Sequence, residues 1–202
     1  MEKAAWWYPS LILYLMFFLT GSWLVILYPK GEILLYINQL NHPWLDTFFR
    51  LITFFGDGFV FLLLILVYLF RKLKYLIMIV FTGVWQGILV YLFKKVMFSG
   101  SLRPSKFFEQ LENLYLVPGV EVHSYHSFPS GHTTTAFSVA LLILLLSRNR
   151  WLSLVAMLMA ILAGISRVYL VQHFFMDVYA GSLLGVFTAF SGYWFIGWVN
   201  AK

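Results

Sequence analysis

Six long apolar segments limit what this chain can fold into more strongly than any other feature of its sequence. They cover residues 10–28, 52–70, 75–97, 132–147, 151–171 and 174–198. A helix needs about 20 apolar residues to cross the hydrocarbon core of a membrane. Of the 202 residues, 61% are hydrophobic and 11% are charged, which is more apolar surface than a soluble domain of this size can bury. The sequence therefore predicts an all-α, polytopic membrane protein whose six transmembrane helices form one bundle, a single domain over residues 1–202.

The first apolar segment and the stretch after it differ from ordinary spans. The run from Leu11 to Tyr28 ends without a small-residue cleavage site, so we expect a retained first helix rather than a cleaved signal peptide. Segment 29–51 mixes apolar residues with prolines, asparagines and a glycine, which favours an interfacial loop with a short amphipathic helix between helices 1 and 2. The start of the second apolar segment is irregular because Asp57 lies between two glycines.

The basic residues indicate the orientation in the membrane. The formal charge is +6, but these residues lie at the ends of apolar segments, which does not favour a nucleic-acid partner. Six spans place the Lys/Arg-rich turns 71–74 and 147–150 and both chain ends on one face. Each face holds seven Lys and Arg residues, so the count alone is not decisive. Short basic loops stay in the cytoplasm, which predicts a multi-pass protein of the inner (cytoplasmic) membrane with both termini cytoplasmic.

Three polar stretches lie at the opposite, periplasmic or outer, ends of the predicted helices. They are KKVMFSGSLRP at 94–104, PSGH at 129–132 and SRVYLVQHFFMD at 166–177. Ionisable side chains are costly inside a membrane and therefore usually have a function. The sequence predicts that these stretches converge on one site on the outer side of the membrane.

The residue types in these stretches suit phosphate chemistry. The Arg side chain matches two phosphate oxygens at once. Ser130 can cap the fourth predicted helix, and Gly131 lets its backbone come close, so that the unpaired N–H groups of the first turn point at an anion. His173 and Asp177 are four residues apart and share a helix face. A histidine held by a carboxylate is a nucleophile or base, and His132 supplies a general acid. The set predicts phosphoryl transfer without a metal ion.

In their order along the chain, the three stretches resemble the motifs of the type 2 phosphatidic acid phosphatase (PAP2) superfamily, which also includes lipid pyrophosphate phosphatases and soluble vanadium haloperoxidases. The second motif, Pro-Ser-Gly-His, is intact at 129–132. The third fits without a gap, because five residues separate Ser166-Arg167 from His173 and three separate His173 from Asp177.

The first motif departs from the family pattern. Six residues usually lie between its Lys and its Arg-Pro, whereas seven lie between Lys95 and Arg103 and eight between Lys94 and Arg103. The choice between the two lysines stays open, with Lys95 preferred because it is nearer the usual spacing.

The resemblance implies a bacterial membrane lipid phosphatase with a role for each matched residue. His173 would attack phosphorus and form a phosphohistidine, Asp177 would hold and polarise His173, and His132 would protonate the leaving oxygen. Water would then hydrolyse the phosphoenzyme. The phosphate oxygens would be bound by Lys95, Arg103, Ser130, Gly131 and Arg167.

Simpler interpretations exist for several of these residues. By themselves, His173 and Asp177 are compatible with a structural pair on a helix. The spacing of His123, His126 and His132 does not match the usual zinc signatures, and the absence of Cys excludes cysteine-ligated metals. We expect no metal and no cofactor, and we interpret His123 and His126 as loop residues, with a contact to the lipid headgroup as the alternative.

The predicted activity is hydrolysis of a lipid phosphate or pyrophosphate in the outer leaflet, with undecaprenyl pyrophosphate, phosphatidylglycerol phosphate and phosphatidic acid as candidate substrates. A lipid A phosphatase and a lipid-to-lipid phosphoryl transferase are alternatives that use the same residues. A non-catalytic transporter or scaffold would not need His132, His173 and Asp177 together. We expect lipid substrate and membrane lipids as partners, with no nucleic acid and no obligate protein partner.

Overall fold

The computed structural model describes residues 6–110 and 114–200, with side chains up to Trp198, and in these ranges the chain is helical. The helices are α1 (Tyr8–Leu27), α2 (Glu32–Asn38), α3 (Pro43–Ile52), α4 (Phe59–Tyr68), α5 (Leu73–Tyr91), α6 (Pro104–Phe107), α7 (Gly131–Ser147), α8 (Arg150–Tyr169) and α9 (Phe175–Asn200). A 3-10 turn over Thr53–Gly56 follows α3, and a π-helical turn over Leu92–Met97 extends α5. The β pairing in the described ranges is one isolated bridge, Leu102 to Tyr125. The all-helical prediction is confirmed for this part of the chain.

Within the described residues, four helices are long and apolar enough to cross a membrane alone: Tyr8–Leu27, Leu73–Met97, Arg150–Tyr169 and Phe175–Trp198. The stretch Pro43–Gly56 meets the same criteria only together with α4, and the two are bent by 56° relative to each other. The apolar helix α7 has only 17 residues. The described chain is thus an integral membrane protein with four candidate spans, or five if the bent pair counts as one, and the sixth span stays a prediction.

The region between the first two predicted spans is built differently from the expectation. The sequence predicts one helix over 52–70, but α3 and its 3-10 turn reach Gly56 and α4 begins only at Phe59. The cause is the tripeptide Gly56-Asp57-Gly58, because a carboxylate is costly in an apolar helix and glycine weakens one. Segment 29–51 forms two helices, α2 and most of α3, rather than a single short one.

The helix α7 is central in the bundle, and every residue of 133–142 is buried. It packs most extensively against α8 and α9. Glycines on α9 permit the close approach: a Cβ on Gly181 would lie 2.7 Å from Ser130 O, and one on Gly185 would lie 2.5 Å from Thr134 O. Small residues allow such packing of membrane helices. The N-terminal end of α7, which carries PSGH, is therefore fixed against the start of α9.

The outward face of α1 is apolar and exposed. The exposed fraction exceeds half for Ile12, Leu19, Trp23 and Ile26. Such a surface suits lipid rather than water. The predicted cytoplasmic ends of the chain, residues 1–5 and 201–202, lie outside the described residues.

Candidate active site

The third motif spans the end of α8, the turn 170–174 and the start of α9. The turn folds back on α8, since the backbone N–H groups of Gln172 and His173 both donate to the carbonyl of Arg167, at 2.9 and 3.0 Å. His173 Nδ1 then lies 3.4 Å from Asp177 Oδ2. Both side chains are only 2% exposed. The structure therefore brings the predicted pair together and shields it from water.

Other groups also hold the Asp177 carboxylate. Its Oδ2 accepts hydrogen bonds from Phe174 N at 3.0 Å and from Ser127 Oγ at 2.5 Å. The Asp177 carbonyl accepts from Ser130 N at 3.0 Å, which joins the second motif to the third. Ser127 belongs to no motif, and sequence reasoning missed it. The one available signal was its position two residues before Pro129.

The second motif starts α7, as predicted. Ser130 caps the helix, because its Oγ accepts from Thr133 N at 3.4 Å and from Thr133 Oγ1 at 2.9 Å. The first N–H groups of a helix have no partner within the helix and attract anions. A Cβ on Gly131 would lie 3.6 Å from Val90 and 3.9 Å from Lys94 Cε, so the Lys94 side chain runs beside this terminus.

His132 has a carboxylate partner that no motif contains. Its Nε2 lies 2.6 Å from Asp57 Oδ1, and the two side chains are 34% and 31% exposed. The break between α3 and α4 places Asp57 here. Gly56 lets the break approach α7, because a Cβ on it would lie 2.7 Å from His132 O. The sequence showed Asp57 only as an interruption of an apolar segment, since its partner comes from a distant part of the chain.

The geometry of the first motif favours Lys94, one of the two lysines that the sequence left open. Lys94 is half-buried and donates from Nζ to His126 O at 3.1 Å, whereas Lys95 is exposed. His126 Nδ1 lies 3.2 Å from Lys94 O, which ties the loop to the helix. The physical reason is the π-helical turn, in which Phe98 N donates five residues back to Phe93 O at 2.8 Å. A π turn holds more residues than an α turn, which accommodates the longer spacing between Lys94 and Arg103.

Two buried arginines complete the cationic side of the site. Arg103 donates from Nε to Tyr125 O at 3.1 Å and from NH1 to Gln172 Oε1 at 3.1 Å. Arg167 donates from NH1 to Thr53 Oγ1 at 2.7 Å. The buried Nε of Arg167 has no hydrogen-bond partner in the part of the chain that the structure describes. A buried donor without a partner is costly, and a bound anion would satisfy it.

The cations and burial keep the nucleophile candidate neutral. Burial lowers the pKa of His173 well below its usual 6.5, and the positive charges of Arg103, Lys94 and Arg167 lower it further. Lys95 is not among these charges. A neutral imidazole has a free lone pair at neutral pH, which nucleophilic attack requires.

The remaining histidines do not form a metal centre with one another. Within residues 6–110 and 114–200, no three His, Asp or Glu side chains are grouped so that they could hold a metal ion. His123 lies 3.9 Å from Glu121, and His126 is engaged with Lys94. Independence from metal stays a prediction, because it concerns activity.

A model of the PAP2 superfamily matches residues 71–201, more than half of the chain. The chain belongs to the PAP2 superfamily. The match includes all three motifs but begins after Asp57 and Thr53. These two contacts of the site thus lie in the part of this PAP2 protein that the family model does not match.

Similar proteins cover more of the chain. A lipid A 4′-phosphatase of Bacteroides thetaiotaomicron is 29% identical over 163 residues, which cover 77% of this chain and 72% of the relative. Aquifex aeolicus LpxE superimposes with a TM-score of 0.70 at 27% identity, covering 81% of this chain and 93% of that structure. A PAP2-type phosphatidylglycerolphosphate phosphatase of Bacillus subtilis gives 0.66 at 26% identity, covering 93% and 96%. Three further relatives match about a third of this chain, and the matches span only 16–33% of their own lengths.

Proposed function

We propose that this PAP2 protein hydrolyses a phosphate ester or anhydride of a membrane lipid through a phosphohistidine on His173. The observation that carries the proposal is the arrangement around that side chain. A buried, neutral histidine is held by Asp177 and is surrounded by the charges of Lys94, Arg103 and Arg167. Fixed positive charge next to a nucleophile stabilises the charge that develops on a transferring phosphoryl group.

Asp177 lies next to Nδ1 of His173, so Nε2 is the attacking atom. The Nε2–P bond forms while the bond from phosphorus to the lipid oxygen breaks, and its electron pair leaves with that oxygen. His132 gives the leaving oxygen a proton. The neutral His132 then takes a proton from water as the water oxygen attacks phosphorus and the Nε2–P bond breaks, which releases inorganic phosphate.

In this mechanism the Asp57 carboxylate supports His132, the proposed general acid. Its Oδ1 lies 2.6 Å from His132 Nε2 and supplies a counter-charge when that imidazole is protonated. The other ring nitrogen, Nδ1, remains to donate to the leaving oxygen. Asp57 therefore acts through His132, as a positioning residue, while His132 touches the substrate.

The phosphate oxygens are bound in this proposal by Lys94, Arg103, Arg167, Ser130 and Gly131. Lys94 takes the place expected for Lys95. The Ser130 backbone N–H is already bonded to Asp177 O, so Ser130 contributes its hydroxyl proton. Gly131 contributes its N–H at the start of α7, where the helix dipole favours an anion.

The test is turnover by the purified protein in detergent micelles. Lipid phosphates should release inorganic phosphate in the presence of a chelator, and rapid acid-free denaturation should trap an acid-labile phosphoprotein. A requirement for Mg²⁺, or phosphate release without any phosphohistidine, would contradict the mechanism.

The lipid A 4′-phosphatase relative favours a lipid A phosphatase as the more specific activity. The similarity to the B. subtilis phosphatidylglycerolphosphate phosphatase supports a glycerophospholipid phosphate as the alternative substrate. A phosphoryl transferase would use the same residues, and radiolabelled phosphate appearing on an added acceptor lipid rather than in solution would identify one.

We further propose that residues 1–202 form one domain of six spans in the cytoplasmic membrane, with α7 as a short buried span and the bent pair as another. The site then faces the outer leaflet, opposite the basic turns 71–74 and 147–150. Single cysteines test this, because the chain has no Cys. In intact cells a cysteine at Ser124 should react with an impermeant maleimide, and one at Asn149 should not.

A further inference from the structure

A large cavity lies beside the cluster formed by His173, Lys94, Arg103 and Arg167. It is bounded by α3 with its 3-10 turn and by the loop that precedes α7. Its volume is about 480 Å³, which is in the range of pockets that enclose small molecules. The cavity reaches the cluster at Arg167 and Gln172. His132, His173 and Lys94 do not line it. The cavity therefore adjoins the proposed phosphate-binding groups at Arg167 without reaching His132 or His173.

The cavity wall combines hydroxyl groups with charges of both signs. Thr47 and Thr53 supply hydroxyls, Arg50 and His123 supply donors, and Glu121 supplies a carboxylate. The apolar part of the wall, which suits the apolar face of a sugar ring, is formed by Leu51, Phe54, Val120 and Leu170. An acyl or isoprenoid chain alone would leave the polar groups of the wall without partners. Hydroxyl and carboxylate acceptors with nearby donors match a polyhydroxylated ring. Arg50 in addition matches an anion.

The wall is held in place by bonds that do not involve the cavity itself. Asn38 bonds to both the N–H and the carbonyl of Tyr115, at 2.9 and 2.7 Å. Tyr115 and Tyr169 both donate to the Asp46 carboxylate, at 2.6 and 2.5 Å. These bonds fasten the start of the loop to α2, α3 and α8.

The far end of the loop is fixed next to the arginines. Gln172 donates from Nε2 to Glu121 O at 2.8 Å and accepts from Arg103 at 3.1 Å. Arg50 NH1 lies 3.5 Å from Pro118 O, and Arg50 lines the cavity together with Thr53 and Arg167. A pocket preformed in this way loses little entropy when it binds.

We propose that this cavity binds the sugar headgroup of a phosphorylated glycolipid, with Arg50 and His123 contacting a second anionic group on that headgroup. The inference rests on the proposed function and deepens it, because the reacting phosphate has to lie at Arg167. The unpartnered Nε of Arg167 fixes that end of the substrate. Phosphatidic acid, whose headgroup is the reacting phosphate alone, leaves the cavity without an occupant.

The experiment compares two substrates in the same detergent: a diglucosamine lipid that carries two phosphates, and phosphatidic acid with matched acyl chains. Arg50→Ala should lower kcat/KM for the glycolipid about tenfold or more, through KM, since it removes a charge-assisted contact. Phosphatidic acid turnover should change less than about twofold, which is within the scatter for a residue that makes no substrate contact. Lys106→Ala, which removes a cation of α6 outside the cavity, is the matched control and should affect neither substrate.

A second variant tests the volume of the cavity rather than the positive charge of Arg50. Thr47→Trp should fill the cavity, reduce glycolipid turnover and spare phosphatidic acid, and it also decides the matter if Arg50→Ala does not fold. Equal losses with both substrates, no loss with either, or a wild-type protein that hydrolyses phosphatidic acid but not the glycolipid would each overturn the headgroup site. In the last case the proposed phosphatase function stands. If the wild-type protein hydrolyses no lipid phosphate at all, the proposed function is wrong, and the headgroup site, which depends on it, is wrong as well.

Discussion

The two histidine–carboxylate pairs of this protein are assembled in opposite ways. His173 and Asp177 lie four residues apart, both 2% exposed, with 3.4 Å between their atoms. His132 and Asp57 come from different parts of the chain, are about a third exposed, and lie 2.6 Å apart. The difference fits two tasks: an attacking nitrogen works best when it is dry and fixed, whereas a group that gives and takes protons has to meet water and the leaving group.

The supports of the two pairs differ as well. Asp177 has further donors in Ser127 and Phe174, so its position is determined by several bonds. Asp57 is placed by the break at Gly56-Asp57-Gly58, which holds it against α7. The proposed nucleophile thus depends on a local network, and the proposed acid depends on packing between α7 and the bent pair.

Loss of the nucleophile should have the largest effect. His173→Ala should lower turnover by about 10⁴-fold or more, because the covalent route is removed. It should also abolish the trapped phosphoprotein while the thermal unfolding midpoint shows that the protein still folds. His123→Ala, which removes an exposed histidine outside the cluster, serves as the control on phosphatidic acid. Near-normal turnover by His173→Ala would falsify the assignment of the nucleophile.

The second prediction distinguishes the proposed roles of the two histidine–carboxylate pairs by changing the leaving group of the substrate. With a lipid substrate, His132→Ala should slow phosphoenzyme formation about 10²-fold or more, and Asp57→Asn about tenfold or more through the lost charge-assisted bond. With 4-nitrophenyl phosphate both losses should shrink strongly, because nitrophenolate leaves without a proton.

Asp177→Asn provides the contrast, since a better leaving group does not repair a misplaced nucleophile. Single-turnover quench measurements on both substrates give the required rates. If Asp57→Asn is as harmful with the nitrophenyl ester as with the lipid, the two pairs do not divide the work in this way.

These contrasts show which parts of the candidate site could be predicted from the sequence. His173, Asp177 and the Ser130 cap were predictable, because each depends on residues within one turn of helix, where spacing fixes direction. The six apolar segments predicted helices, and the two glycines beside Asp57 marked an irregular start, but neither feature predicted that Asp57 would lie against His132. Lys94 was hidden by the π turn, and Ser127 by a loop that has no repeating geometry. Sequence reasoning missed tertiary contacts made by residues outside the motifs, such as Asp57 and Ser127.

The third prediction concerns the lysine that the π turn selects. Lys94→Ala should lower kcat/KM about tenfold or more, since it removes a half-buried cation beside the α7 terminus. Lys95→Ala should change it less than about twofold, as exposed charges contribute little. The two substitutions are chemically identical and adjacent, so each controls for the other. A larger effect at Lys95 would restore the original expectation and place the first motif differently.

The smallest expected effect belongs to Ser127. Ser127→Ala removes one of the donors to Asp177 Oδ2 and leaves Phe174 N and His173 in place. Because a single hydrogen bond to a charged group is worth about 1.5–3 kcal/mol at most and the carboxylate keeps other partners, we expect a loss of about three- to tenfold in phosphoenzyme formation. If Ser127 acts through Asp177, adding Ser127→Ala to Asp177→Asn should slow the reaction no further, since the interaction is already lost. Ser124→Ala, in the exposed part of the same loop, should have no effect in either background. Additive losses in the double variant would instead mean that Ser127 contacts the substrate itself, and the nucleophile's network would then be smaller than the geometry indicates.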